Sequence, residues 1–311
     1  MNRLAGIVVA ALGLICAVLS ILKVIPGFSI TMPAIGMIVL GGLIIGLSFV
    51  NKPAADDTPR MSTGSTLVNI FFSPAEVFQN LRRHPRWLIP VLIMTVLSGV
   101  YSTLFFQRLT AERITNYAID KTLEMPMIAN NDDARKKVEE GRKDAIEQAK
   151  NPIARIGQSI GTFFWLVVGF TVLALIFLMF TAAMGGSINF WQAFAVAVYA
   201  WFPSAVIKSV LNIVILFVKD PTEIHPIIGQ GTLVQDNLNF LVTPKDNPAI
   251  WAFLGALSLL WFYWIWLNST GLKNGGERVS GSTAWTTSIA IYVIVLGIGV
   301  LSAYMFPSFI S

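Results

Sequence analysis

The chain has 311 residues, of which 55% are hydrophobic and 13% charged, with a formal net charge of +5. A soluble domain is about 25% charged, and a mean hydropathy of +0.68 leaves too little polar surface to cover a soluble globule. Disorder, a disulfide scaffold and an ordinary cytosolic enzyme are excluded on that ground.

The first apolar stretch, 4–22, follows Arg3 and ends at Leu22-Lys23. It is long for a signal-peptide core and lacks a small-x-small cleavage site. Ile15 stands before Cys16 where a lipoprotein box needs a small residue. The stretch therefore reads as one arm of a membrane hairpin, with 32–50 as the other and Pro26-Gly27 and Pro33 between them. Residues 51–65 are polar, with Pro and Gly, and form a linker. Over 66–86, Ser73-Pro74-Ala75-Glu76 is a helix start with proline at its first position. Phe71, Phe72, Val77, Phe78 and Leu81 give that segment an apolar face, and Arg82, Arg83 and Arg86 form a basic cluster at its end. The pattern predicts a helix lying on the membrane surface.

Five more apolar stretches follow, at 87–107, 160–184, 190–218, 249–272 and 284–306. All seven approach or exceed the ~20 residues that cross a bilayer as a helix. Together they contain a single charged side chain, Lys208, although the chain holds 22 Lys+Arg and 17 Asp+Glu. Membrane β-strands are about 10 residues long and alternate in polarity, so the fold class is all-α: a polytopic membrane protein of about seven transmembrane helices. The one substantial aqueous segment, 108–159, is predicted to carry a helix over 132–150, capped at Asn130-Asn131-Asp132, with Val138, Ala145, Ile146 and Ala149 as a narrow apolar stripe. Residues 219–248 are rich in Gly and Pro and then run through LVQDNLNFLV, which reads as a short helix lying on or dipping into the membrane. The division is 1–50 as hairpin, 51–65 as linker, and 66–311 as the main membrane domain with 108–159 inserted.

Trp87, Trp165, Trp191, Trp251 and Trp285 stand at or near span starts, and Trp261, Tyr263, Trp264 and Trp266 crowd the far end of the sixth, as interface anchors do. Gly6-x-x-x-Ala10, Gly42-x-x-x-Gly46 and Ala252-x-x-x-Ala256 are patterns for close helix packing. Lys and Arg are more numerous on the face that holds 108–159, but there they mix with acids in a long loop that crosses with little regard for charge. The cluster at Arg82, Arg83 and Arg86 abuts a span. It places the N-terminus and 51–86 in the cytoplasm and the C-terminus outside. The modest basic excess suits anionic headgroups, not nucleic acid.

Candidate chemistry is sparse. Cys16 is the only cysteine, and His84 and His225 are the only histidines, so no metal centre and no cofactor is expected. Asp220, Glu223 and His225 lie close in sequence, but Pro221 and Pro226 prevent any enforced ligand spacing. Lys208 is the one ionisable group deep in a span, costly to place there and by default a functional candidate. Ser204, Lys208 and Asn212 recur at spacing four on one helix face, beside the kink that Pro203 imposes. No carboxylate in any span pairs with the lysine.

FFSPAEVFQNLRRHPRWLIP resembles the entry segment of the Yip family (Ypt-interacting-protein-like membrane proteins), particularly its bacterial members. The shared features are a proline-initiated amphipathic helix at Pro74, a basic stretch, then Pro85-x-Trp87 entering a span. Gly185-Gly186, Gln192, Tyr199 and Pro203 match the family's glycine turn and Gln-containing helix, and LVQDNLNFLV with Gly271-Leu272 is a third match. The resemblance covers about 70–308 and leaves the hairpin outside. It implies five membrane helices, a cytoplasmic N-terminal side, a bacterial cytoplasmic (inner) membrane location and no catalytic residue. The function expected is a non-enzymatic membrane scaffold, organiser or accessory subunit whose partners are the bilayer and other membrane proteins or a second copy. The alternative is a transporter or permease with a polar path at Ser204, Lys208 and Asn212.

Overall fold

A computed structural model describes residues 2–22, 31–50 and 59–306. The expected Pro26-Gly27 turn and residues 51–58 of the expected linker lie outside the described residues. The helices in chain order are α1 (Asn2–Ile21), α2 (Thr31–Val50), α3 (Thr63–Phe72), α4 (Pro74–Arg83), α5 (Leu88–Leu109), α6 (Ala111–Leu123), α7 (Pro126–Ala129), α8 (Asp132–Glu140), α9 (Arg142–Lys150), α10 (Pro152–Ala183), α11 (Phe190–Val218), α12 (Ile228–Gly231), α13 (Pro248–Ala256), α14 (Leu259–Gly275) and α15 (Gly281–Met305). The protein is all-α and polytopic. Five helices (α1, α5, α10, α11 and α15) are long and apolar enough to cross a membrane by themselves. α2 is a further apolar helix of 20 residues. The stretch expected as the sixth span is broken: α13 and α14 meet at 50°.

Neither proline nor glycine makes that break. Asp236, from the loop before α13, takes over the first donors of α14. Its carboxylate accepts from the Ser258 hydroxyl and, at 2.9 Å, from the Leu260 N–H, while its carbonyl accepts the Leu259 N–H at 3.1 Å. A helix start leaves four N–H groups without intrahelical partners. Here a remote residue satisfies two of them, and the helix begins anew.

The chain forms two compact units. The first comprises 1–96, 157–205 and 263–292. In it α1 and α2 pack backbone to backbone, because Gly41 carries no Cβ; one placed there would sit 2.6 Å from the Ala10 nitrogen and 2.7 Å from the Gly6 carbonyl oxygen. Gly6 and Ala10 are thus used as expected, whereas Gly42 and Gly46 face open space. Trp191 through Ala200 of α11 are all buried, so this half of the helix has no lipid-facing side. α4 turns its apolar face to protein, whereas Phe72 just before it is exposed. Its apolar side chains Val77, Phe78 and Leu81 are buried in protein, with the Phe78 ring seated over Gly271. The aromatic residues divide as well. Trp165, Trp266 and Trp285 are exposed, as anchors should be, but Trp87, Trp191 and Trp264 are core residues.

The second unit comprises 97–156, 206–262 and 293–311. Its core is Tyr101, Phe105, Leu109, Ile114, Leu216 and Ile224. The aqueous segment is helical, but the expected helix over 132–150 divides at Gly141 into α8 and α9. Asn131 caps α8, accepting the Ala134 N–H at 3.1 Å. The stripe residues Val138, Ala145, Ile146 and Ala149 are half-buried. Arg142 ties the segment together, at 2.8 Å from both Asp120 and Glu139 and 3.1 Å from the Asn116 side-chain oxygen. The hydrogen bond to Arg142 holds the Glu139 carboxyl below its ordinary range. Arg113 pins the chain leaving α11, donating to the Pro221 carbonyl at 2.6 Å and that of Ile224 at 3.3 Å.

Candidate functional site

The residues that resemble a family pattern, LVQDNLNFLV apart, belong to the first unit, and Pro85, Trp87 and Gln192 meet at the turn between α4 and α5. Pro74 opens α4 with its side chain buried. Pro85 is buried too, and Trp87 meets Phe194 edge to face at 5.1 Å. Gln192 ties the turn to α11: its side-chain nitrogen donates to the Arg82 carbonyl at 3.1 Å. It is itself fixed by reciprocal bonds with Asn189, of 3.0 and 2.9 Å, the reciprocal capping arrangement of a helix start. Gly185 takes a φ of +75°, open to glycine at little cost. Gly186 comes so close to the Arg278 carbonyl that a Cβ would lie 2.9 Å from its oxygen. Pro203 sits inside α11 with its ring buried.

The basic cluster does not form one exposed patch. Arg82 and Arg83 are half-buried, whereas Arg86 is only 6% exposed. One Arg86 nitrogen donates to the Thr66 hydroxyl. The other two face the Tyr199 hydroxyl without a well-formed hydrogen bond, and the Trp87 indole N–H and Arg82 Nε are buried without a hydrogen-bond partner. Burial pushes the Arg86 guanidinium below its usual pKa, with Tyr199 opposing and Arg60 reinforcing that shift. The turn therefore buries two N–H donors, of Trp87 and Arg82, without acceptors, which is unusual in a packed interior.

The second unit holds the other polar group. Asn212 is 3% exposed and its side-chain oxygen accepts the N–H groups of Leu233 and Val234, at 2.7 and 3.1 Å. Tyr101 donates to the Gly229 carbonyl. From Tyr101 to the end of α5 at Leu109 is about 12 Å at the rise of an α-helix. From Lys208 to the end of α11 at Val218 is about 15 Å. The backbone of 229–236 thus runs beside α5 and α11 well inside their ends, but the expected short helix in LVQDNLNFLV is not formed: 232–236 are non-helical and only Asn239–Leu241 makes a helical turn. The segment carries Asp236, whose carboxylate is taken up by the Ser258 hydroxyl and the Leu260 N–H, in the same unit as Lys208. Among the described residues no ion pair joins the two. Ser204 is half-buried and belongs to the first unit.

Asp220, Glu223 and His225 do separate work. Asp220 caps the turn Pro221–Glu223 through the Thr222 N–H at 2.8 Å. His225 Nδ1 accepts the Ile227 and Ile228 N–H groups at 3.2 and 3.1 Å, and its Nε2 meets the Tyr117 hydroxyl at 3.0 Å. Among the described residues no group of three or more His, Cys, Asp or Glu is placed to hold a metal ion.

Sequence reading missed Asp236, Ser258 and Thr66. The signal available for the first two was an aspartate within LVQDNLNFLV and a serine inside an otherwise apolar span; nothing in the sequence joined them. Comparison with curated proteins and with solved structures gives no match. The sequence model of the Yip1 domain matches residues 68–304, a range that holds the basic turn, Gly185-Gly186, the first half of α11 and the Asp236 loop. On that match across most of its length, the chain belongs to the Yip1 domain family.

Proposed function

We propose that this Yip-type membrane protein is a non-enzymatic scaffold, organiser or accessory subunit of a membrane complex. It would reside in a bacterial cytoplasmic membrane, with the N-terminus and 51–86 cytoplasmic and the C-terminus outside. The observation that carries this reading is what the family-pattern residues do. Trp87, Gln192 and Tyr199 are spent on packing and backbone bonds, so the most patterned part of the chain builds a rigid body and not a reaction chamber. The hairpin 1–50 is then an addition, joined by the linker 51–65 to a domain over 66–311 whose insertion, 108–159, is available to other proteins. The test is photo-crosslinking from exposed positions of α15, such as Ile298 and Leu301, followed by mild-detergent purification and mass spectrometry. Reproducible adducts of defined mass, to another membrane protein or a second copy, are expected. Recovery of the chain alone from every position would overturn the reading.

A second reading, transport, is favoured by one observation: Lys208, Asp236, Asn212 and the break at Ser258 gather within one unit. Broken helices lining a polar site at depth are a transporter device. Lys208→Met separates the two readings. A scaffold keeps its crosslinked partners in that variant, whereas a transporter loses flux in proteoliposomes; unchanged flux removes the support for transport.

A further inference from the structure

The first unit contains a pocket of about 430 Å³ whose lining includes Arg82, Lys273, Arg278, Gly185, Ser280 and Thr283. It sits where α10 ends at Ala183, α14 ends at Gly275 and α15 begins at Gly281. Ends of membrane helices lie at the headgroup level. Three cations line the pocket against one carboxylate, Glu277. Among the described residues neither Lys273 nor Arg278 makes an ion pair. Arg82 spends one nitrogen on the Glu277 carbonyl, at 3.5 Å, and leaves its Nε buried without a partner.

The wall is rigid. The Ser187 N–H donates to the Arg278 carbonyl at 2.8 Å, and the Glu277 and Arg278 N–H groups return to the Ser187 carbonyl at 2.8 and 3.1 Å. This bridge clamps the turn after α14 onto the Gly185-Gly186 turn. Ser280 caps α15, accepting the Thr283 N–H at 3.1 Å, and the start of that 25-residue helix adds the partial positive charge of its dipole. Three cations, an orphan guanidinium N–H and a helix start around one concavity are complementary to a phosphate group.

We propose that this pocket binds the phosphate of an anionic phospholipid headgroup, fixing the protein against acidic lipid. The proposal rests on the reading of this face as a membrane-surface face and is independent of whether the protein has protein partners. Inorganic phosphate shares the recognising chemistry, so the test has an arm for each source. The purified full chain in detergent is titrated with phosphatidylglycerol, with phosphatidylcholine and with inorganic phosphate, and bound lipid is read by native mass spectrometry. Phosphatidylglycerol is expected to bind in preference to phosphatidylcholine and to persist against millimolar inorganic phosphate. The triple variant Arg82→Gln, Lys273→Gln, Arg278→Gln is expected to bind it roughly 100-fold more weakly, about fivefold for each cation near the surface. A control removing the same charge from the aqueous insertion, Arg135→Gln with Lys136→Gln and Lys137→Gln, keeps wild-type binding. The single variant Arg278→Gln, on an exposed side chain, carries the test if the triple variant melts early; a fivefold loss is expected.

Equal loss in pocket and control variants reduces the effect to bulk charge and overturns the proposal. So does the absence of a preference for the anionic lipid, or an Arg278→Gln variant that binds as wild type. Displacement of the lipid by inorganic phosphate reassigns the pocket to the free ion. Loss of lipid binding with crosslinked partners intact sinks this inference alone, and retained lipid with no partners sinks only the scaffold reading.

Discussion

Replacing Asn212 by Leu removes the acceptor that holds the segment beside the spans. Two N–H groups, of Leu233 and Val234, lose their partner, and Val234 is itself buried. A buried donor left without an acceptor costs about 1–3 kcal/mol, so the pair costs about 2–6 kcal/mol. At 1.4 kcal/mol per tenfold, the lower bound corresponds to roughly a 30-fold rise in local opening. Hydrogen exchange with mass spectrometry on the protein in lipid nanodiscs reads this directly. Protection at 233 and 234 is expected to fall by at least that factor, while α6 and α9 keep theirs. Asn212→Asp retains the side-chain oxygens and should hold the segment far better than Leu. Unchanged protection in the leucine variant would refute the reasoning, because the segment would then be anchored elsewhere.

Gly271→Val puts a branched side chain where a Cβ already lies 2.7 Å from Val196 and 3.0 Å from the Phe78 ring. Overpacking of this kind costs about 1–3 kcal/mol and should lower the melting temperature in detergent, whereas Gly42→Val, in open space, should not. Arg86→Met removes a buried guanidinium of which two nitrogens make no well-formed hydrogen bond. As with other buried charges replaced by apolar groups, the melting temperature should hold or rise, and a marked fall would show that the guanidinium is satisfied. Burial, with a smaller effect from Lys121, holds the His225 pKa below its ordinary value. As pH falls through about 6.5 the opened chain binds its proton first, so the turn at 225–229 loses stability below that pH and none above it. Proteolysis of this turn should accelerate on acidification in the native protein. The acceleration should vanish in His225→Asn, whose oxygen can accept the same N–H groups without titrating.

What the sequence made legible was whatever depends on local pattern. Six of the seven apolar stretches are continuous helices, and the Asn131 cap and the proline-led start of α4 stand where local rules put them. Misreadings arose where a distant residue decides. The break at Ser258 is made by Asp236, which no periodicity connects to it. Arg86 looked like a surface cation because charge density says nothing of burial; it is covered by Thr66 and Tyr199 from elsewhere in the chain. Trp87, Trp191 and Trp264 look like interface anchors by position, yet packing against residues such as Phe194 and Trp201 makes them core.

The ten consecutive buried residues of α11, Trp191 to Ala200, bear on biogenesis. The first unit draws on three separate parts of the chain, the last of them 263–292. Its central helix is therefore threaded into the bilayer before the neighbours that will cover it have been synthesised. Until α14 follows, Val196 and Trp201 of α11 lack Gly271, Gly275 and Trp264, the native neighbours they pack against. The first unit closes only after nearly the whole chain has been inserted, and a chain interrupted before residue 263 exposes that seam to membrane quality control.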